Sequence, residues 1–154
     1  MQISGQIRTT CPPAFLLQAL RDPQAMIQLL PSGSKLEQSG DDTFAFTLTK
    51  SVGPIRLTLP GTLTLTPTGE GHNQKMTVHA AHLIAGKVDL TLQIVIDQAG
   101  AQTRIAYDGE LGATGLSGRI LKEHRARANE VVKASLTRFR LRAEGEFAKS
   151  RAAV

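Results

Sequence analysis

Apolar and polar positions alternate along most of the chain up to Leu111 and then recur every three or four residues. These two periods separate strands from helices. Ile3, Gly5 and Ile7 oppose Ser4, Gln6 and Arg8 over residues 2–9, which predicts a strand. Pro12 and Pro13 stop it and open a helix, because a proline in the first helical turn sacrifices no hydrogen bond. Two short helices are expected at 13–20 and 23–30. The second has Asp22 as N-cap before Pro23 and is closed by Leu29-Leu30-Pro31.

From Ser34 the period is two. Phe44, Phe46 and Leu48 share a face, as do Ile55, Leu57, Leu59, Gly61, Leu63 and Leu65. Met76, Val78 and Ala80 follow, then Val88, Leu90, Leu92, Ile94 and Ile96, then Ile105, Tyr107, Gly109 and Leu111. A proline in a strand interior cannot donate to the ladder, so Pro60-Gly61 is expected to mark a bend or bulge. The short polar links between these runs require antiparallel neighbours, since parallel strands need long crossovers. A sheet apolar on one face needs a single cover. Residues 115–142 supply it: Leu116, Ile120, His124, Ala128, Val131, Val132, Ser135 and Phe139 recur at helical spacing. A continuous helix over this stretch would be about 42 Å long at 1.5 Å per residue, so the sheet must wrap round it.

The fold class expected is therefore α+β: a curved antiparallel sheet of about seven strands around a long C-terminal helix, with two short helices after the first strand. Residues 1–144 form one domain, and 145–154 are expected to be a polar, frayed tail. Four glycines, Gly109, Gly112, Gly115 and Gly118, cluster where the last strand meets the long helix. They read as a hinge and as points of close packing. The stretch lacks the GxxxxGK[ST] pattern and a βαβ setting, which counts against a phosphate loop.

Composition narrows the function. Aromatic residues are 4% of the chain, with no tryptophan, so few platforms exist for stacking bases. The single cysteine, Cys11, allows no intrachain disulfide and reads as a small buried hydrophobe. MQISGQIRTT has neither the charged head nor the apolar run of a signal peptide, and no stretch is apolar enough to span a membrane, so a soluble cytoplasmic protein is expected. The net charge of +5 is concentrated: residues 119–142 carry eight Lys or Arg against Glu123 and Glu130. Such a face is solvated, or attracts an acidic protein patch or anionic lipid at the inner membrane face. No helix-turn-helix, zinc-finger or aromatic RNA-binding signature accompanies it, so no specific nucleic acid is expected.

Strand, two short helices, antiparallel run and long C-terminal helix is the order of the helix-grip domain. Together with ISGQI at the start, ALRDPQAMIQLLPS over the short helices, SVGPIRLTLPGTLTL in the long strand and YDGELGATGLSGRIL at the hinge, it resembles the carbon monoxide dehydrogenase CoxG-like branch of the START/Bet v 1-like, or SRPBCC, superfamily. The resemblance covers residues 2–142. It implies an elongated apolar cavity between sheet and helix, a hydrophobic ligand of lipid or quinone type, and service to a molybdenum-hydroxylase-type oxidoreductase.

The inward positions hold many Leu and Ile and few ionisable groups, which suits either a filled core or an apolar groove. The ligand-lining candidates, read from strand and helix phase, are Phe46, Leu57, Leu90, Leu92, Tyr107, Leu116, Ile120 and His124, with the mouth between the end of the 23–33 segment and the strand loops. His124 is either a satisfied core residue or an anchor for a ligand carbonyl or hydroxyl, with Tyr107 across the groove. His72, His79 and His82 give no convergent ligand set, so no metal, cofactor or catalytic residue is expected. Non-catalytic binding or transfer of a hydrophobic molecule is the preferred reading. Its rivals are a small cyclase, lyase or hydrolase on the same fold, and an accessory or maturation protein with no small ligand.

Overall fold

The computed structural model describes residues 1–52, 54–69, 71–82 and 86–152. The strands are β1 (Gln2–Thr9), β2 (Lys35–Gln38), β3 (Thr43–Val52), β4 (Ile55–Pro67), β5 (Gln74–His82), β6 (Gly86–Ala99) and β7 (Gln102–Ala113). They form one sheet in the order β1-β7-β6-β5-β4-β3-β2, with every neighbouring pair antiparallel. From β2 to β7 chain order and sheet order coincide, so short turns suffice. The single long connection carries the chain from β1 to the far edge through α1 (Pro13–Ala19), α2 (Pro23–Met26) and a 3₁₀ turn at Ile27–Leu29. Pro12 holds the extended conformation of an N-cap, and the Asp22 carboxylate accepts the Gln24 N–H at 3.0 Å. The second expected helix is thus a single α-turn that tightens into 3₁₀ geometry.

Alternation puts Leu92, Ile94 and Ile96 of β6 inside and leaves Gln93 and Val95 exposed. These inward residues join Phe44, Leu65, Met76, Leu136 and Phe139 in one core cluster. No bulge occurs at Pro60: pairing with β3 runs through it without interruption, as Thr47↔Pro60. Instead the pairing of β4 with β5 ends at Gly61↔Ala80. A residue with no N–H to donate sits where β4 takes leave of that neighbour.

The expected continuous helix over 115–142 is interrupted. α3 (Gly115–Glu123) ends at His124, whose backbone (φ −111°, ψ 24°) is not helical; a 3₁₀ turn spans Arg125–Arg127, and α4 (Ala128–Ala152) follows. From Lys122 to Arg127 only Ala126 is apolar, and all six residues are exposed. α3 packs on β6 and β7, whereas α4 packs on β1 and on the 27–29 turn. Through the stretch expected as a polar tail, α4 continues to Ala152, and the Phe147 ring meets Phe15 edge-on at 5.1 Å between centroids.

The glycine cluster divides by role. Gly115 opens α3 with φ of 65°, a region costly for other residues. A Cβ on Gly109 would overlap the Thr91 carbonyl oxygen and come within 2.9 Å of the Leu92 Cα, so β6 and β7 approach as they do only because that position is bare. At Gly112 a Cβ would meet nothing.

Cys11 is fully buried just after β1, where burial pushes its thiol pKa up, and its N–H donates to Thr9 Oγ1 at 3.2 Å. A protonated, covered thiol is a poor nucleophile. In native protein at pH 8, Cys11 is expected not to react with a colorimetric disulfide reagent until denaturant is added. Labelling at the rate of a free thiol would show that the turn after β1 is open.

Candidate functional site

Curling the sheet round α4 leaves a cavity of about 780 Å³ that opens to solvent. One wall is the concave face of β5, β6 and β7. Six of its lining residues are cross-strand partners: Val78 opposite Leu90, Met76 opposite Leu92, and Ile94 opposite Tyr107. Period two therefore delivers an apolar patch three pairs deep from three separate stretches of sequence. The facing wall comes from α4, through Val131, Val132, Ser135 and Leu136, and the rim from residues 27–34. Val131 is 62% exposed, which places it at the opening.

Polar groups are few and unevenly placed. Among the described residues of the sheet wall the only one is Tyr107. It is buried, burial raises its pKa, and its hydroxyl has no hydrogen-bond partner among the described residues. The phenol occupies space that exists because its partner on β1 is Gly5, where a Cβ would overlap it. The remaining polar lining residues, Gln28, Ser32, Ser34, Ser135 and Arg138, belong to the rim or to α4. The Ser34 hydroxyl is buried without a partner among the described residues. Arg138 bridges the two sides of the mouth, donating from Nε to the Gln28 carbonyl and from Nη2 to Ser135 Oγ, each at 3.1 Å.

Leu90, Leu92 and Tyr107, of the candidates read from the sequence, come together in the cavity wall. Phe46 is buried, with the edge of its ring against Gly61, and does not line the cavity. Leu57 has a side chain outside the described residues. Leu116 and Ile120 are half-buried on α3, away from the lining. His124 is exposed at the break after α3, so it neither fills the core nor faces Tyr107. The interruption moves it off the stripe that an unbroken helix would have given it. Lining residues outside those candidates include Val78, Met76, Ile94, Ser135, Leu136 and Arg138. Strand and helix phase already carried the first four as inward positions; nothing in the sequence marks Arg138.

The basic segment is not uniformly a solvated face. Arg119, Lys122, Arg125, Arg127 and Lys133 are exposed. Three further arginines also fasten α4 to its surroundings: Arg138 to the Gln28 carbonyl, Arg140 to the Arg8 carbonyl at 3.3 Å, and Arg142 to Gln24 Oε1 at 3.0 Å. Among the described residues no three His, Cys, Asp or Glu converge as metal ligands, and no helix is long and apolar enough to cross a membrane. His79 instead pairs with Asp89 on the neighbouring strand at 2.5 Å.

Residues 5–149 match the family of CoxG, a carbon monoxide dehydrogenase subunit. No curated protein matches the chain. Among solved structures, a conserved protein from Geobacillus kaustophilus superposes with a TM-score of 0.76 at 18% identity, covering 97% of each chain. A STAR-related lipid transfer protein fragment from Xanthomonas axonopodis gives 0.61 at 15% identity, covering 91% of this chain and 84% of that one. The protein Ara h 8.0201 gives 0.55 at 13% identity, covering 90% and 97%. At these identities the likeness is one of fold, and the fold is the Bet v 1/START-like helix grip.

Proposed function

The chain belongs to the carbon monoxide dehydrogenase CoxG family, and on that premise we propose that it binds and hands over an elongated hydrophobic small molecule, lipid- or quinone-like, without transforming it. The observation that carries this reading is the cavity between sheet and α4. Its volume of about 780 Å³ falls in the range of roughly 300–1,000 Å³ typical of small-molecule sites, and its walls are aliphatic with few polar groups, the usual composition of such sites. General acid–base chemistry needs a donor and acceptor poised against each other near neutral pH. Tyr107 and Arg138 are the only ionisable residues in the described lining, and burial keeps the Tyr107 phenol protonated. That supports carriage over a cyclase, lyase or hydrolase role.

The recipient in this reading is a molybdenum-hydroxylase-type oxidoreductase in the cytoplasm, which the family name supports through its link to carbon monoxide dehydrogenase. Arg119, Lys122, Arg125 and Arg127 around the helix break present an exposed cationic end suited to an acidic protein surface or to the anionic inner face of the membrane.

Native mass spectrometry of freshly purified protein is expected to show a stoichiometric adduct that organic solvent releases as an apolar compound. A clean apo mass, together with no uptake from a membrane lipid and quinone extract added in vitro, would overturn the proposal.

A further inference from the structure

The polarity of the cavity has a direction. Apart from Tyr107, the described residues of the sheet wall are apolar, whereas the polar lining groups lie on the 27–34 rim and on α4. Arg138 is the one charged residue among the described lining residues, and it is exposed. Its guanidinium is held in place by two hydrogen bonds, Nε to the Gln28 carbonyl and Nη2 to Ser135 Oγ. An arginine has five N–H donors in a rigid planar fork. Two are committed here, and the outer edge formed by Nη1 and the second hydrogen of Nη2 has no acceptor among the described residues. A charged donor pair whose orientation is already fixed loses little entropy when it takes a planar oxygen pair.

We propose that Arg138 is the head-group anchor of this cavity: the ligand lies head outward, its apolar body against β5–β7 and its terminal oxygens on the outer edge of the Arg138 guanidinium. The class favoured is an apolar chain ending in a carboxylate. A ligand with a cationic head is disfavoured, because the described lining offers no anionic group to receive it. This inference rests on the carriage reading above and adds to it the polarity and direction of the ligand.

The test uses the full chain and two fluorescent probes: cis-parinaric acid, which has a carboxylate head, and diphenylhexatriene, which has none. Wild-type protein is expected to bind both. Arg138→Gln should weaken cis-parinaric acid roughly tenfold, the scale of one charge-assisted bidentate contact near solvent, and diphenylhexatriene less than about twofold. The methyl ester of parinaric acid should bind wild type several-fold more weakly than the acid, about fivefold, a comparison independent of any effect of substitution on folding. Equal weakening of both probes would mean that Arg138 shapes the mouth through Gln28, and unchanged affinity for both, or equal affinity of acid and ester, would mean that the head lies elsewhere. Each of these overturns the anchor while leaving carriage intact. Failure of wild type to take up either probe would instead remove carriage, and the anchor with it.

Discussion

Replacing Gly109 with valine is expected to cost about 3–5 kcal/mol of stability, lowering the melting temperature by roughly 10 °C in a domain of this size. A side chain at this position would overlap the Thr91 carbonyl oxygen, which is backbone, and crowd the Leu92 Cα as well. No rotamer change relieves such a clash; β6 and β7 must separate. Gly109 pairs with Leu92 on one side and with Ile3 on the other, so separation weakens two ladders and disturbs a cavity-lining residue. Gly112→Ala is the internal control, since its Cβ would enter open space and the loss of unfolded-state freedom is worth about 0.4–1 kcal/mol in the opposite direction. Chemical denaturation of both variants decides the matter. Equal stabilities would show that the close approach of β6 and β7 at Gly109 is not a feature of the folded protein.

A second large effect is expected from filling the cavity. Val78 and Leu90 are cross-strand partners, both half-buried and both lining the cavity. Forcing larger groups into a packed core costs about 1–3 kcal/mol, but here the indoles of Val78→Trp and Leu90→Trp grow into empty space. The double variant should therefore melt within a few degrees of wild type while retaining less than about a tenth of the copurifying ligand, a loss of more than about 1.4 kcal/mol in binding. Native mass spectrometry and a thermal melt on one preparation measure both quantities. A folded double variant carrying wild-type levels of adduct would place the ligand somewhere other than this cavity.

The strands were legible because period-two burial makes register and face a single decision. Once Leu90, Leu92 and Tyr107 are assigned inward, the antiparallel pairing brings their neighbours Val78, Met76 and Ile94 to the same surface. The helix was legible in its place, but neither its interruption nor its continuation to Ala152 was. The run Lys122-Glu123-His124-Arg125-Ala126-Arg127 contains neither glycine nor proline, the residues that usually mark a helix break in a sequence. His124 was misplaced for that reason alone. Arg138, Arg140 and Arg142 looked like ordinary solvated charges because their acceptors lie 110, 132 and 118 positions away along the chain. Contacts with single carbonyls or an amide at such separations have no periodicity to read.

The choice of acceptors in that arginine clasp bears on how the helix over the cavity tolerates its surroundings. Two are peptide carbonyls and the third is a carboxamide. None of these gains or loses a proton in the ordinary range, and guanidinium stays charged up to about pH 12. Arg140 and Arg142 also pair with Glu144 and Glu146, but those pairs run along α4 and tie the helix only to itself. A clasp made with aspartates or glutamates would slacken in acid as the carboxylates discharge, and one made of exposed ion pairs would weaken as counterions screen them. The bonds that cross from α4 to its neighbours depend on neither, so the lid side of the cavity stays in register across changes of acidity and ionic strength that would rearrange the cationic surface beside it.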